Sequence, residues 1–175
     1  MIEYGELIGE WGADGVIGIP VDHLRPLFTF DVASLPPGGV LPMEVSVVFT
    51  TFVKGEIELF DVVKMQVGNA EPVNMVIIGA VPEDDDLLFA LNLASGAVLL
   101  VDLNQGAVET VNSTARDFVE FLYRLSMFMD ADQGRASRAE PAARLRQELT
   151  RLDRMAFEDP ESWWSAAFAQ LEGRI

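Results

Sequence analysis

Apolar runs of five to nine residues alternate with short polar turns in the middle of the chain. The runs are rich in Val, Ile and Leu and predict strands, and the turns between them contain Pro, Gly, Asn or Asp. Because a parallel crossover needs about a dozen residues, these short connections predict an antiparallel meander. The four predicted strands are 73–81, 87–93, 97–103 and 107–111.

Two further strands are predicted upstream, where β-branched and aromatic residues fill 43–53 and 56–67 on either side of a turn at Lys54 and Gly55. In the second run Ile57, Leu59 and Asp61 alternate with Glu56, Glu58 and Phe60. A period of two predicts one buried face and one wetter face. These runs therefore extend the predicted sheet to about six strands.

The N-terminal region has weaker patterns. Apolar residues on one side predict a short helix within 2–11, and a short strand is predicted at 16–19. Residues 22–42 contain several Pro and Gly, which predict a long loop over the sheet edge with an extended fragment at 27–30.

The apolar period changes to that of a helix after Asn112. Ser113 or Thr114 is expected to cap this helix. Its apolar stripe consists of Phe118, Phe121, Leu122, Leu125 and Met129.

Two more helices are predicted near the C-terminus. One begins where Ser137 and Glu140 have the spacing of a capping box, and the next begins at the pair Asp159 and Pro160. The last helix carries Trp163 and Trp164 at adjacent positions, and most of this aromatic surface is expected in the core. Because adjacent helix positions lie about 100° apart, one indole could still face outward as an interface anchor.

Strands followed by helices predict an α+β fold, with a short N-terminal helix and the C-terminal helices packed on an antiparallel sheet. One domain is expected over residues 1–175, mostly β in 1–111 and mostly α in 112–175.

The net charge of −16 is unevenly spread. Residues 1–115 carry 17 Asp and Glu against three basic residues, a net charge of −14, whereas residues 116–175 have a net charge of −2. Such an acidic region repels nucleic acid and anionic membranes, and it attracts basic proteins. Plain solubility is the alternative explanation of the charge. The acidic N-terminus is unlike a secretory signal, and the chain has no cysteine and no membrane-length apolar run, so we expect a cytoplasmic protein.

Candidate chemistry is sparse. His23 beside Asp22 could form a dyad only with a nucleophile supplied by the fold, and an ordinary loop histidine is the better interpretation. An acid-dependent hydrolase would need two facing carboxylates, and no such pair is evident in the sequence. We therefore predict no catalytic residue, no cofactor and no metal ion.

Two acidic segments are the candidates for partner contact. The first is the predicted turn with Glu83, Asp84, Asp85 and Asp86, and the second is the predicted strand with Glu56, Glu58 and Asp61. The first segment lacks the alternating ligands and the glycine of a calcium loop. A solvated turn is its simplest interpretation, and a contact patch for a basic partner is the functional alternative.

Four stretches of the chain together resemble a known family. They are EWGADGVIGIP, then MVIIGAV with LLFALNLASGAVLLVDL, then VNSTARDFVEFL, and finally LRQELTRLDRMAFEDPESWWSAAFAQL. In this order they resemble the SUKH superfamily of bacterial immunity proteins, most closely its fourth subfamily, which is common in actinobacteria.

The resemblance implies an α+β domain that binds a cognate polymorphic toxin, often a nuclease or a deaminase, and neutralises it by stoichiometric occlusion. Partner surfaces vary within the family, so the resemblance assigns no contact residue by position. A basic toxin would suit the acidic composition. The alternative is a regulatory or scaffold module of the same fold that binds an endogenous protein.

Overall fold

The computed structural model describes residues 1–66 and 68–174. Its strands are β1 Val16–Gly18, β2 Val40–Pro42, β3 Glu44–Val45, β4 Phe49–Thr50, β5 Val62–Met65, β6 Val73–Val81, β7 Asp84–Asn92, β8 Val98–Asp102 and β9 Ala107–Asn112. Its α-helices are α1 Tyr4–Trp11, α2 Val21–Leu24, α3 Ala115–Ala131, α4 Ala139–Leu152 and α5 Trp163–Leu171. The predicted α+β class is confirmed.

The main sheet has seven antiparallel strands. Strands β6 to β9 form the predicted meander, and β4 precedes β6 in the order β3-β4-β6-β7-β8-β9. Both β4 and β5 pair with β6, at opposite ends of the edge that β7 leaves free. Strands β1 and β2 form a separate two-stranded sheet. The prediction of one domain over 1–175 stays a prediction.

One face of the main sheet, the helix face, packs against α3 through aromatic side chains. Phe49, Phe89 and Phe118 are fully buried, with ring centroids 5.2 to 5.6 Å apart. The ring of Phe49 lies over Gly79, where a Cβ atom would come within 2.3 Å of it. Only glycine allows this close approach of strand and ring.

A buried polar junction joins the end of β9 to the C-terminal helices. Asp153 accepts hydrogen bonds from Asn112 Nδ2 at 3.0 Å and from the backbone N–H and hydroxyl of Ser113, both at 2.7 Å. The indole Nε1 of Trp164 donates to Asn112 Oδ1 at 2.8 Å. Asn112, Asp153 and Trp164 are all buried. Because buried polar groups are costly when unpaired, this network fixes the sheet exit and the helices in one arrangement.

The opposite face, the outer face, holds a second apolar cluster. Its buried members are Met75, Ile77, Ala80, Leu88, Ala90, Leu99 and Val101. Val53 and Ile57 pack against this cluster from residues 51–61, which contain no helix or strand. We refer to residues 51–61 as the cover segment.

The predicted strands at 43–53 and 56–67 are wrong over most of their length. Among the described residues of these two ranges, only β3, β4 and β5 form, and the period-two interpretation of 56–61 falls on bends and turns. Position 67, the last of the second predicted strand, lies outside the described residues. Val53 and Ile57 bury apolar surface by crossing the outer face, and this burial outweighs their local preference for a strand.

The region before β3 also differs from prediction. The chain forms α2 and several short 3-10 helices within 22–42, and β2 was not predicted. Leu27 ends a 3-10 helix, so the extended fragment begins only at Phe28. The helix predicted within 2–11 and the strand predicted at 16–19 are present as α1 and β1.

One predicted helix cap is confirmed and two are wrong. Thr114 Oγ1 accepts from the backbone N–H of Asp117 at 3.0 Å. The helix α4 follows a 3-10 helix that ends at Ser137 and has no side-chain cap. The helix α5 is capped by Ser162, whose hydroxyl also donates to a backbone carbonyl of the preceding 3-10 helix. Asp159 does not cap this helix; its Oδ1 accepts from the backbone N–H of Glu161 in the turn before it.

The two adjacent tryptophans both pack inward. Trp164 is fully buried, and Trp163 is half-buried with its ring edge-to-face on Phe89 at 5.7 Å. The expectation that one indole faces outward as an anchor is therefore wrong, because Phe89 supplies a partner for the second ring.

Candidate partner-binding surface

The acidic run at residues 83–86 is only partly a turn. Pro82 and Glu83 connect β6 to β7, and the strand begins at Asp84. Glu83 has φ of 66°, a backbone conformation that favours glycine. Because neighbouring strand residues point to opposite faces, Asp85 is exposed while Asp84 and Asp86 are half-buried.

Three of the seven predicted acids hold local backbone or side-chain structure. Asp84 Oδ1 accepts from the backbone N–H of Asp86 at 3.1 Å, and Asp86 Oδ2 accepts from Asn104 Nδ2 at 2.9 Å. Asp61 Oδ2 accepts from the backbone N–H of Glu58 at 2.8 Å. These bonds restrict the three carboxylates to fixed positions.

The other four acids are exposed, and their carboxylates accept no hydrogen bond from any residue that the structure describes. They are Glu56, Glu58, Glu83 and Asp85. Their charge is fully available to a partner.

A groove of about 260 Å³ brings the two acidic segments together. Lys54, Glu56 and Ile57 line it from the cover segment. Asp85 and Asp86 line it from β7, with Leu88 and Leu103 as apolar neighbours. Neither Glu58 nor Asp61 lines this groove. Asp84 does not line it either, so the structure unites only part of the predicted set.

A second groove of about 160 Å³ continues from the first, because Lys54 and Asp85 line both. Glu44, Phe52 and Glu83 also line it. Sequence reasoning missed Glu44 and Phe52, which it assigned to a regular strand. Their convergence depends on the pairing of β4 with β6, which no local pattern reveals.

These residues define one continuous area, which we call the edge surface: Glu44, Phe52, Lys54, Glu56, Glu83 and Asp85. It carries four acids and one base. Lys54 makes no ion pair with any other residue in 1–66 and 68–174. The surface is therefore strongly negative, and it suits a cationic partner.

Two carboxylates meet beyond the far side of the β3–β4 hairpin. Glu10 Oε1 accepts from Ser126 Oγ at 2.8 Å, and burial together with a hydrogen bond to Asp130 raises the pKa of Glu10. A third groove of about 330 Å³, lined by Glu44, Ser126 and Asp130, lies here and shares Glu44 with the edge surface. This pair joins α1 to the end of α3, so no local sequence pattern could reveal it.

The remaining candidates stay apart. His23 is exposed on α2. Among the described residues, no group of three or more His, Cys, Asp or Glu is arranged to hold a metal ion. No helix in the described part of the chain has the length and apolarity needed to cross a membrane.

The edge surface thus combines exposed acids and an exposed aromatic ring over shallow grooves on an α+β scaffold. The family model for the SUKH-4 immunity protein matches residues 3–170. The chain therefore belongs to the SUKH-4 immunity protein family. Neither a curated protein nor a solved structure matches the chain.

Proposed function

We propose that this protein is a cytoplasmic bacterial immunity protein, of the type common in actinobacteria, that binds a cognate polymorphic toxin and neutralises it without catalysis or cofactor. The observation that carries this proposal is the family match over residues 3–170. The family match agrees with the chemistry of the edge surface, which suits the binding of a protein.

The toxin is a basic protein, such as a nuclease or a deaminase. This part of the proposal rests on charge, because residues 1–115 have a net charge of −14 and the edge surface has four acids to one base. A field of this sign accelerates the association of a cationic protein, and the acceleration weakens as salt is added.

Occlusion is the mechanism that fits such a pair. An enzyme that acts on nucleic acid holds phosphates with Lys and Arg. The carboxylates of the edge surface would pair with those same cations and exclude the substrate from the cleft. One immunity protein would then block one toxin, without any covalent step.

The seven acids predicted from the sequence remain proposals as contacts. Glu56, Glu83 and Asp85 are the best placed, because they are exposed, free of hydrogen bonds to described residues and on one continuous surface. Asp86 would add charge from a fixed position in the first groove, whereas Asp84, Glu58 and Asp61 lie outside the two grooves and would contact only a larger partner.

Co-expression tests the proposal. The proposal predicts that a gene beside this chain's gene encodes a large secreted protein with a C-terminal toxin domain. That domain is the probe, expressed in a sensitive bacterium with and without this protein. The expected result is restored growth and a one-to-one complex on gel filtration. Continued toxicity with no complex would contradict the proposal and favour a module that binds an endogenous protein.

A further inference from the structure

The β3–β4 hairpin exposes an unusual amount of apolar surface. Val47 at its tip is 77% exposed and Phe52 just after it is 60% exposed, more than any other large apolar side chain of the described residues except Met1. Single exposed apolar residues are ordinary, but two lie on this one short segment, and we refer to Val47 and Phe52 together as the apolar patch.

The hairpin holds this patch rigidly. Phe49 anchors it in the core between Phe89 and Phe118, and Thr51 bonds to the carbonyl of Met43 through both its backbone N–H and its hydroxyl, at 2.8 and 2.9 Å. A side chain that is presented from a fixed frame loses little conformational entropy when it binds.

The tip itself has a strained backbone. Ser46 has φ of 42°, in the left-handed region that favours glycine, and the N–H of Val48 bonds to the carbonyl of Val45 at 3.0 Å. Strain that the surrounding structure maintains is typical of functional segments, and here it leaves Val47 in solvent.

Acids flank the apolar patch on both sides. Glu44, Glu83 and Asp85 line the groove beside Phe52, and the groove on the far side of the hairpin is lined by Glu44 and Asp130. An aromatic centre within a charged rim is the usual anatomy of a binding hot spot.

We propose that Phe52 and Val47 form the apolar centre of the interface with a cationic protein. This inference rests on the proposed function, and the occupant is the basic toxin domain. The partner presents an apolar side chain to Phe52 and Lys or Arg side chains to the acids on both sides of the hairpin. Charge complementarity selects this occupant over a membrane, since anionic lipid would be repelled by the same acids.

Calorimetric titration tests the inference with the toxin domain described above, carrying a substitution that removes its activity. The variants are Phe52→Ala and Val47→Ser, and the matched control is Val32→Ser, at a valine that is 44% exposed and outside the surface. We expect Phe52→Ala to raise the Kd at least about ten-fold and Val32→Ser to change it by less than about two-fold. Unaltered thermal unfolding of all three would show that the fold is retained.

A second probe, poly-L-lysine, separates apolar contact from charge. Phe52→Ala should leave the binding of poly-L-lysine unchanged. The triple variant that combines Glu56→Gln, Glu83→Gln and Asp85→Asn should weaken that binding. The inference is wrong if the toxin domain binds the hairpin variants and the original protein equally. It is also wrong if Phe52→Ala weakens the binding of poly-L-lysine as strongly as it weakens the binding of the toxin domain. If the original protein does not bind the toxin domain at all, the proposed function itself fails.

Discussion

The two faces of the seven-stranded sheet are closed in different ways. The helix face is packed by fully buried aromatic rings and by the hydrogen-bonded junction of Asn112, Asp153 and Trp164. The outer face is covered by the cover segment, which contributes Val53 and Ile57 without forming a helix or a strand.

This difference separates stability from recognition. The C-terminal helices that cover the helix face lie in residues 115–171, where acids and arginines nearly balance, while the exposed acids of the edge surface lie in the strongly acidic region 1–115. Substitutions at distant sites usually act independently. Changes at the junction should therefore alter folding, whereas changes that remove only the charge of an exposed edge-surface acid should alter binding.

The largest effect is expected from Asp153→Ala. It leaves the amide of Asn112 and both donors of Ser113 without their acceptor. The free energy of unfolding should fall by about 3 kcal/mol in urea titration. Glu158→Ala, at an exposed acid nearby, is the control and should change it by less than about 0.5 kcal/mol. A fall of less than about 1 kcal/mol for Asp153→Ala would show that the junction is not a main support of the fold.

A smaller effect is expected from Ile57→Ala in the cover segment. Ile57 is only half-buried, so the loss should be about 1 to 2 kcal/mol, less than for a fully buried isoleucine. Amide hydrogen exchange should accelerate for Ile77, whose N–H bonds to the carbonyl of Asp61, and stay slow in α3. Equal acceleration in α3 would mean that the two faces unfold as one unit.

Glu83→Gly should stabilise the protein by about 0.5 to 1 kcal/mol, since glycine adopts φ of 66° without the steric cost of a Cβ atom. Glu83→Gln is the matched control, because it removes the same charge and keeps the Cβ atom. Thermal unfolding of both variants measures the difference. If glutamine stabilises the protein as much as glycine does, charge repulsion rather than backbone strain is the cause.

The smallest effect concerns pH. Burial raises the pKa of Glu10, Glu109 and Asp117 above the ordinary values of 4.5 for Glu and 3.8 for Asp. A carboxyl group with a raised pKa binds its proton more tightly in the folded state, so stability increases as the pH falls through that pKa. The Tm should therefore rise as the pH is lowered from neutral towards those ordinary values, and Glu10→Gln should reduce that rise. A Tm that falls on mild acidification would contradict these assignments.

The sequence predicted the parts of the fold that depend on neighbouring residues. The bounds of β6 agree with the predicted 73–81, and Thr114 caps α3, because an apolar run between turns and a helix cap are local patterns. The cover segment was mispredicted, since β-branched residues suit both a strand and an apolar face. Only the tertiary structure decides between the two.

The same limit applies to the candidate surface. The density of acids was enough to select Glu56 and Asp85 from the sequence. It also selected Asp61, whose carboxylate accepts a hydrogen bond from the backbone of its own turn. Glu44 and Phe52 join them only through the pairing of Thr50 with Ala80. Glu10 and Asp130 lie far apart in the sequence, and the packing of α1 on α3 brings them together.

The rate of toxin association tests most directly whether the acidic edge surface is the recognition site. Two triple variants that remove the same charge are compared by stopped-flow at low and high salt. One is Glu56→Gln with Glu83→Gln and Asp85→Asn, and the other is Glu140→Gln with Glu158→Gln and Glu161→Gln, at exposed acids elsewhere. We expect the first to slow association at low salt by about ten-fold and to lose most of its salt dependence, and the second to slow it by less than about two-fold. Equal rates for the two triple variants would contradict the assignment of recognition to the edge surface.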